Sequence, residues 1–327
     1  MAEGWKLKEG VATYRTVSAD QLWALCMKVL SSQAVKTTSY KYVLLRAIIE
    51  NLYKTNDEFE LSFNQLAESF ARLYWNLVVR NGYSQGYQTS IEKGLMEFKL
   101  EFAIPEGASF DGLQKNHQNE LIHRIEVSIL RKYVVGALYA DTNGLFYGFS
   151  KKSRKIVLTP GSYEFLLKYQ TILFKLINYE MAKFLEKKNP NLTQGILLHE
   201  IENITKRESL KQFQQLIVEH SGHSCFYTEK PLVKAQRTIA VDHFVPWSFV
   251  HSDDLWNFVL TSSTLNSQKG VKLPAERFLG KLHERNQLLK QSGNVYVKQY
   301  MENYSFHQFE KIYNYTEFNG FEKGWLP

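Results

Sequence analysis

Asp242 and His243 stand side by side in VDHFVPW (241–247), followed by Asn257 in WNFVL (256–260) and Asn266 in TLNSQKG (264–270). A neutral imidazole can take a proton from water near neutral pH. Carboxylate and amide oxygens are hard donors of the kind that magnesium and manganese prefer. An isolated Asp-His pair reads equally as a turn beside a buried strand, so the flanking elements matter. TIAVDHFVPW is a β-branched and apolar run and WNFVL a second short strand, while SSTLNSQKG reads as a short helix started by Ser262 or Ser263 and stopped at Gly270. The order is therefore strand, loop, strand, helix.

That ordered set resembles the HNH nuclease family, whose ββα-metal fold carries a DH pair on its first strand, an Asn before the second and an Asn or His on the helix. DHFVPWS, DDLWNFVL and LNSQKG each resemble their HNH counterparts, and the Asp-first, Asn-last pattern is similar to the HNH domain of CRISPR effector nucleases. CFYTEKPL at 225–232 looks like the knuckle that precedes many HNH cores, and PAERFLGKLHERNQLL at 274–289 like the helix that follows them. The helices upstream look like the N-terminal region of stand-alone bacterial HNH proteins.

The resemblance implies a metal-dependent endonuclease that cuts or nicks DNA, in a setting of restriction or phage defence and with a partner protein of such a system. His243 would be the general base, and Asn257 would brace the loop and orient it. Asp242 and Asn266 would hold one Mg2+ or Mn2+ ion together with phosphate oxygens. Lys269 would either touch phosphate or end the helix in solvent, and His251, Asp253 and Asp254 read as a solvated run of loop charge. The alternatives are a catalytically silent HNH-fold adaptor that binds nucleic acid, and an RNA-cutting toxin. One departure is informative. Many HNH proteins flank the core with two Cys-x-x-Cys pairs, whereas here only Cys225 is present, with Ser262 and Leu265 where the second pair would fall. No structural zinc is expected.

These residues need a scaffold, and the chain of 327 residues with 44% apolar content has ample material for two cores. An α+β protein is expected, with a mainly helical domain at 1–205 and an HNH domain at 206–327 whose core spans 225–290. A boundary falls near 190–208, where NPNLTQG supplies Pro, Asn and Gly.

Helices are expected at 40–53, capped by Thr38 or Ser39, and at 61–82, where Ser62 and Gln65 have capping-box spacing and Asn81-Gly82 ends the run. Further helices are expected at 121–139 and 208–221. A single long one is read from Ser162, ending before Pro190, with Phe165, Tyr169, Leu173, Leu176 and Phe184 inside. Between them, GLFYGFSKKSRKIVLTP (144–160) predicts a hairpin with a basic tip: Lys151, Lys152, Arg154 and Lys155 could grip a phosphate backbone or form a solvated turn.

The net charge of +7 favours a polyanionic partner, DNA or alternatively RNA. Two cysteines cannot build a disulfide framework, and no apolar run reaches the ~20 residues of a membrane span or serves as a signal peptide. A cytoplasmic protein with no membrane partner is the expectation.

Overall fold

The computed structural model describes residues 4–13, 17–31, 37–86, 89–192, 195–204, 210–232, 239–302 and 304–327. The chain is mostly helical with small sheets and divides into two compact units, Met1–Thr205 and Lys206–Pro327.

The first unit contains α1 (Ala19–Leu30), α2 (Tyr40–Glu50), α3 (Phe63–Tyr74), α4 (Ser90–Glu101), α5 (Lys115–Ile125), α6 (Val135–Asp141), α7 (Pro160–Lys168), α8 (Gln170–Glu186) and α9 (Ile196–Asn203). Four antiparallel strands, β1 (Glu9–Gly10), β2 (Glu60–Ser62), β3 (Tyr147–Ser150) and β4 (Lys155–Leu158), form one sheet in the order β1-β3-β4-β2.

The start of α3 follows from its sequence. Ser62 Oγ accepts from the Gln65 amide at 3.2 Å and Gln65 Oε1 accepts from the Ser62 amide at 2.7 Å, so two otherwise orphaned N–H groups are satisfied. The helix continues as π-turns over Trp75–Arg80 and ends at Gly82, whose φ of 71° is left-handed.

Three helix expectations change. Ser39 precedes α2 but does not cap it; its hydroxyl bonds Tyr74 Oη (2.8 Å) and Gln85 Oε1 (3.1 Å) within the core. The helix expected at 121–139 starts earlier, at Lys115, and runs through π-turns over Glu126–Val134 into α6. Residues 115–120 are all polar and exposed or half-buried, so the apolar period becomes visible only from Leu121.

The single helix expected from Ser162 is two helices broken at Tyr169 (φ −108°, ψ 17°), with Thr159 as the first cap and Ser162 as its amide donor. Trp23 packs against both Phe165 and Tyr169 at the break, at 5.3 and 5.1 Å between ring centres. The register beyond the break turns accordingly. Leu173, Phe174, Ile177, Met181 and Leu185 are buried, whereas Leu176 and Phe184 are only half-buried.

The second unit holds α10 (Lys211–Ser221), β5 (Ile239–His243), α11 (Trp247–Val250), β6 (Phe258–Ser262), α12 (Ser263–Lys269), β7 (Leu273–Pro274), α13 (Arg277–Lys290), α14 (Val295–Tyr300), α15 (Phe306–Phe318) and β8 (Lys323–Trp325). Antiparallel β5–β6 with α12 forms the ββα core, and β7 pairs in parallel with β8. Residues 208–209 of the helix expected at 208–221, and Thr238 at the head of the strand run, lie outside the described residues.

Candidate functional site

The β5–β6 register sets Asp242 opposite Val259 and His243 opposite Phe258, at the end of the two-stranded ladder. Both residues are buried, at 3% and 6% exposure. His243 packs edge-on against the Phe258 ring, with centres 4.7 Å apart, and its Nε2 bonds Asp253 Oδ1 at 2.8 Å. Nδ1 has no hydrogen bond among the described residues. A nitrogen tied to a carboxylate fixes both ring orientation and tautomer, leaving the other nitrogen as the proton acceptor.

Asn257 is fully buried and works as an artificial strand partner. Its Nδ2 donates to Val245 O and its Oδ1 accepts from Val245 N, both at 2.8 Å, while its own carbonyl accepts from Phe244 N at 2.8 Å. One planar amide thus satisfies both backbone groups of the residue two beyond His243. Behind it, Asn286 Nδ2 and Arg285 Nη2 of α13 donate to Trp256 O at 2.9 and 3.3 Å.

Ser262 caps α12 by accepting from Leu265 N at 3.1 Å, and Gly270 ends it with φ 54°. Asn266 and Lys269 are three apart and share a face of that helix. Lys269 is not at a solvated helix end: it is 1% exposed, and its ammonium donates to Asp242 Oδ1 at 3.0 Å and to His243 O at 2.7 Å. It therefore stitches the helix to the strand. The expectation of a phosphate contact gives way to this buried pairing, because a long side chain whose charge is removed from water needs a counter-ion.

Asp242 Oδ2 receives a second donor, the Tyr227 hydroxyl, at 2.6 Å. Tyr227 comes from the knuckle at 225–232, where Cys225 N donates to Lys230 O and Ser224 bridges Pro231. Burial, and then the adjacent Asp242 charge, push the Tyr227 hydroxyl well above the ordinary phenol range, so it remains the donor.

Asp242, His243 and Asn257 thus converge at one end of β5, with Asn266 half-buried on the adjoining helix. Asp253 and Tyr227 complete the arrangement. Asp253 belongs to a loop run expected to be solvated, and its role rests on a fold-back across ten residues that no local pattern reveals. Tyr227 carried only the signal of lying in the knuckle.

The basic hairpin tip lies in the other unit, and two of its four charges are paired with carboxylates there. Lys151 donates to Trp5 O at 3.0 Å, Arg154 Nε pairs with the buried Glu126 at 2.7 Å, and Lys155 pairs with Glu60. Lys152 is exposed.

No cluster of three or more His, Cys, Asp or Glu side chains that could hold a metal ion occurs among the described residues. The hard oxygens of Asp242 and Asn266 nonetheless suit a divalent cation. A carboxylate accepts at about four lone-pair positions, so two donors do not exhaust Asp242, and the Asn266 side chain forms no hydrogen bond among the described residues. Lys269 is the competing cation.

Comparison of the chain with curated proteins and with solved structures finds no match. No described helix is long and apolar enough to cross a membrane. Residues 225–275, which span the knuckle, both strands, the loop and α12, match the family model described as HNH endonuclease, and the chain carries an HNH endonuclease domain there.

Proposed function

We propose that this protein is a metal-dependent endonuclease that hydrolyses phosphodiester bonds in DNA, cutting or nicking it, in restriction or phage defence. HNH endonuclease domains bind nucleic acid and typically use a divalent metal. The observation that carries the reading is the His243–Asp253 pair at 2.8 Å beside the buried Asp242 carboxylate.

His243 takes a proton from the attacking water at Nδ1, and Asp253 stabilises the positive charge that then develops on the ring. Asn257 acts through the backbone: by clamping Val245 it holds the turn that follows His243, and a base displaced by about 1 Å loses roughly a hundredfold in rate. Asp242 and Asn266 would hold the ion. A bound Mg2+ or Mn2+ supplies Lewis-acid stabilisation of charge on the phosphate and the departing oxygen. The net charge of +7 draws the polyanion toward the protein.

Incubation of purified protein with Mg2+ or Mn2+ and plasmid, linear, single-stranded and phage-modified DNA tests the activity, with RNA alongside to separate the two sugars. His243→Ala should abolish cutting and leave DNA binding in place. Absence of any product from folded protein would sink the nuclease reading.

The Lys269–Asp242 ion pair at 3.0 Å favours one second reading, an HNH fold that binds nucleic acid without cutting. Salt-sensitive binding with no metal-dependent product would select it.

A further inference from the structure

Three segments of the Met1–Thr205 unit that are far apart in sequence meet around the β3–β4 hairpin: the 3₁₀ turn Gly4–Lys6 with β1 behind it, the π-turns over Glu126–Val134, and the hairpin tip itself. A Cβ at position 136 would collide with the Gly4 carbonyl oxygen, so the glycine there lets the turn lie against α6. Lys151 ties the tip to that turn. Its ammonium donates to Trp5 O and its amide to Lys8 O, both at 3.0 Å. The Trp5 ring meets that of Tyr133 with centres 6.4 Å apart, and Lys6 and Lys132 lie over these two rings at 5.1 and 5.0 Å.

The result is a concentration of one sign of charge. Lys6, Lys8, Arg131, Lys132, Lys151 and Lys152 all belong to these segments, and across residues 4–13, 127–140 and 144–158 the sole carboxylate is Glu9. Lys6, Lys8, Lys132 and Lys152 are exposed, as is Trp5. No carboxylate pairs with Lys8, Arg131, Lys132, Lys151 or Lys152 among the described residues, in contrast to Arg154 and Lys155 of the same hairpin. Partial burial, and then the positive charge of Arg131, hold the Lys151 ammonium below the usual lysine range. Like charges held together repel, and a polyanion relieves that repulsion while releasing its own counterions.

We propose that this face of the helical unit is a docking surface for the DNA phosphate backbone, formed by Lys6, Lys8, Arg131, Lys132, Lys151 and Lys152. Such contacts position a duplex and carry no base sequence. The surface deepens the nuclease reading and rests on it for the choice of DNA as the polymer, since the cations themselves address only phosphate.

Fluorescence anisotropy with a short labelled duplex tests it on the full chain in EDTA, where metal-dependent cutting is silent. The fourfold variant Lys8→Gln, Arg131→Gln, Lys132→Gln, Lys152→Gln leaves the Lys151 hydrogen bond in place. It should lower the slope of log affinity against log salt by about 3–4 and weaken binding at about 50 mM salt by roughly a hundredfold or more. Lys28→Gln, Arg80→Gln, Lys175→Gln, Lys187→Gln removes the same four charges from exposed positions outside the surface and should change the slope by less than about 1. Should the first variant fail to fold, Lys152→Glu alone should lower the slope by about 1 and weaken binding roughly tenfold. Equal losses in the two fourfold sets, an unchanged slope in Lys152→Glu, or no salt-dependent binding by the parent would overturn the proposal. Tighter binding of an RNA duplex of the same sequence would overturn the choice of polymer. Patch-dependent DNA binding by a protein that cuts nothing once Mg2+ or Mn2+ is restored would uphold the surface and sink the nuclease reading instead.

Discussion

Replacing Asp253 by Asn keeps the shape of the side chain and its Oδ1 acceptor but removes the charge facing His243 across 2.8 Å. With both charges delocalised, their centres lie about 4 Å apart, and an effective dielectric of about 20 gives roughly 4 kcal/mol between imidazolium and carboxylate. The Asp253 side chain is 18% exposed and that of His243 7%, so water screens part of this. About 1–3 kcal/mol remains for a charge that develops only as His243 accepts its proton, equivalent to a loss of roughly 5- to 150-fold in kcat. The interaction is absent before proton transfer, so the KM for DNA should hardly move. Single-turnover cleavage with saturating protein and Mn2+ isolates the chemical step, and a filter-binding titration in parallel reports affinity. Asp253→Ala should be slower still, because the ring also loses its orienting acceptor. Cleavage by Asp253→Asn at the unmodified rate would refute the assignment, as would a loss residing entirely in DNA affinity.

Asn257→Ala removes two hydrogen bonds at 2.8 Å and strands the buried N–H and C=O of Val245. About 2–4 kcal/mol of stability should be lost, seen as a lower denaturation midpoint, together with most of the cleavage. Lys269→Met leaves the buried Asp242 carboxylate with Tyr227 as its remaining donor among the described residues, at an expected cost of about 3–5 kcal/mol. If Asp242 holds the metal, added Mn2+ should then raise the melting temperature of Lys269→Met more than that of the parent; an equal or smaller rise argues against that ligand. In the helical unit, Ser62→Ala breaks the reciprocal cap of α3 and should cost about 1 kcal/mol in urea denaturation, with DNA cleavage by the other unit unchanged.

The ββα core was legible because it is local. β5, β6 and α12 follow one another within 31 residues (239–269), each with its own strand or cap signal, so the order of Asp242, His243, Asn257 and Asn266 already specifies a strand pair and a helix. The capping box of Ser62 and Gln65 is likewise a three-residue matter. Partners chosen across space were not legible. Lys269 looks like a helix-end charge until α12 folds onto β5 and buries it against Asp242, 27 residues earlier. Asp253 looks like loop charge until the loop turns back to His243. The hairpin tip looks like four free cations until Glu126 and Glu60, 28 and 95 residues away from their partners, neutralise two of them.

The sequence by itself determined the residue types, their order and the short elements that carry them, since hydrogen bonds within a turn or alternation along a strand need no distant partner. Only the tertiary structure decided which charges are spent. A buried Lys, Asp or Arg must find a counter-charge or remain unpaired at a cost, and that partner is set by packing. Lys269 found Asp242, His243 found Asp253, and the Nε and Nη1 of buried Arg285 found no partner among the described residues.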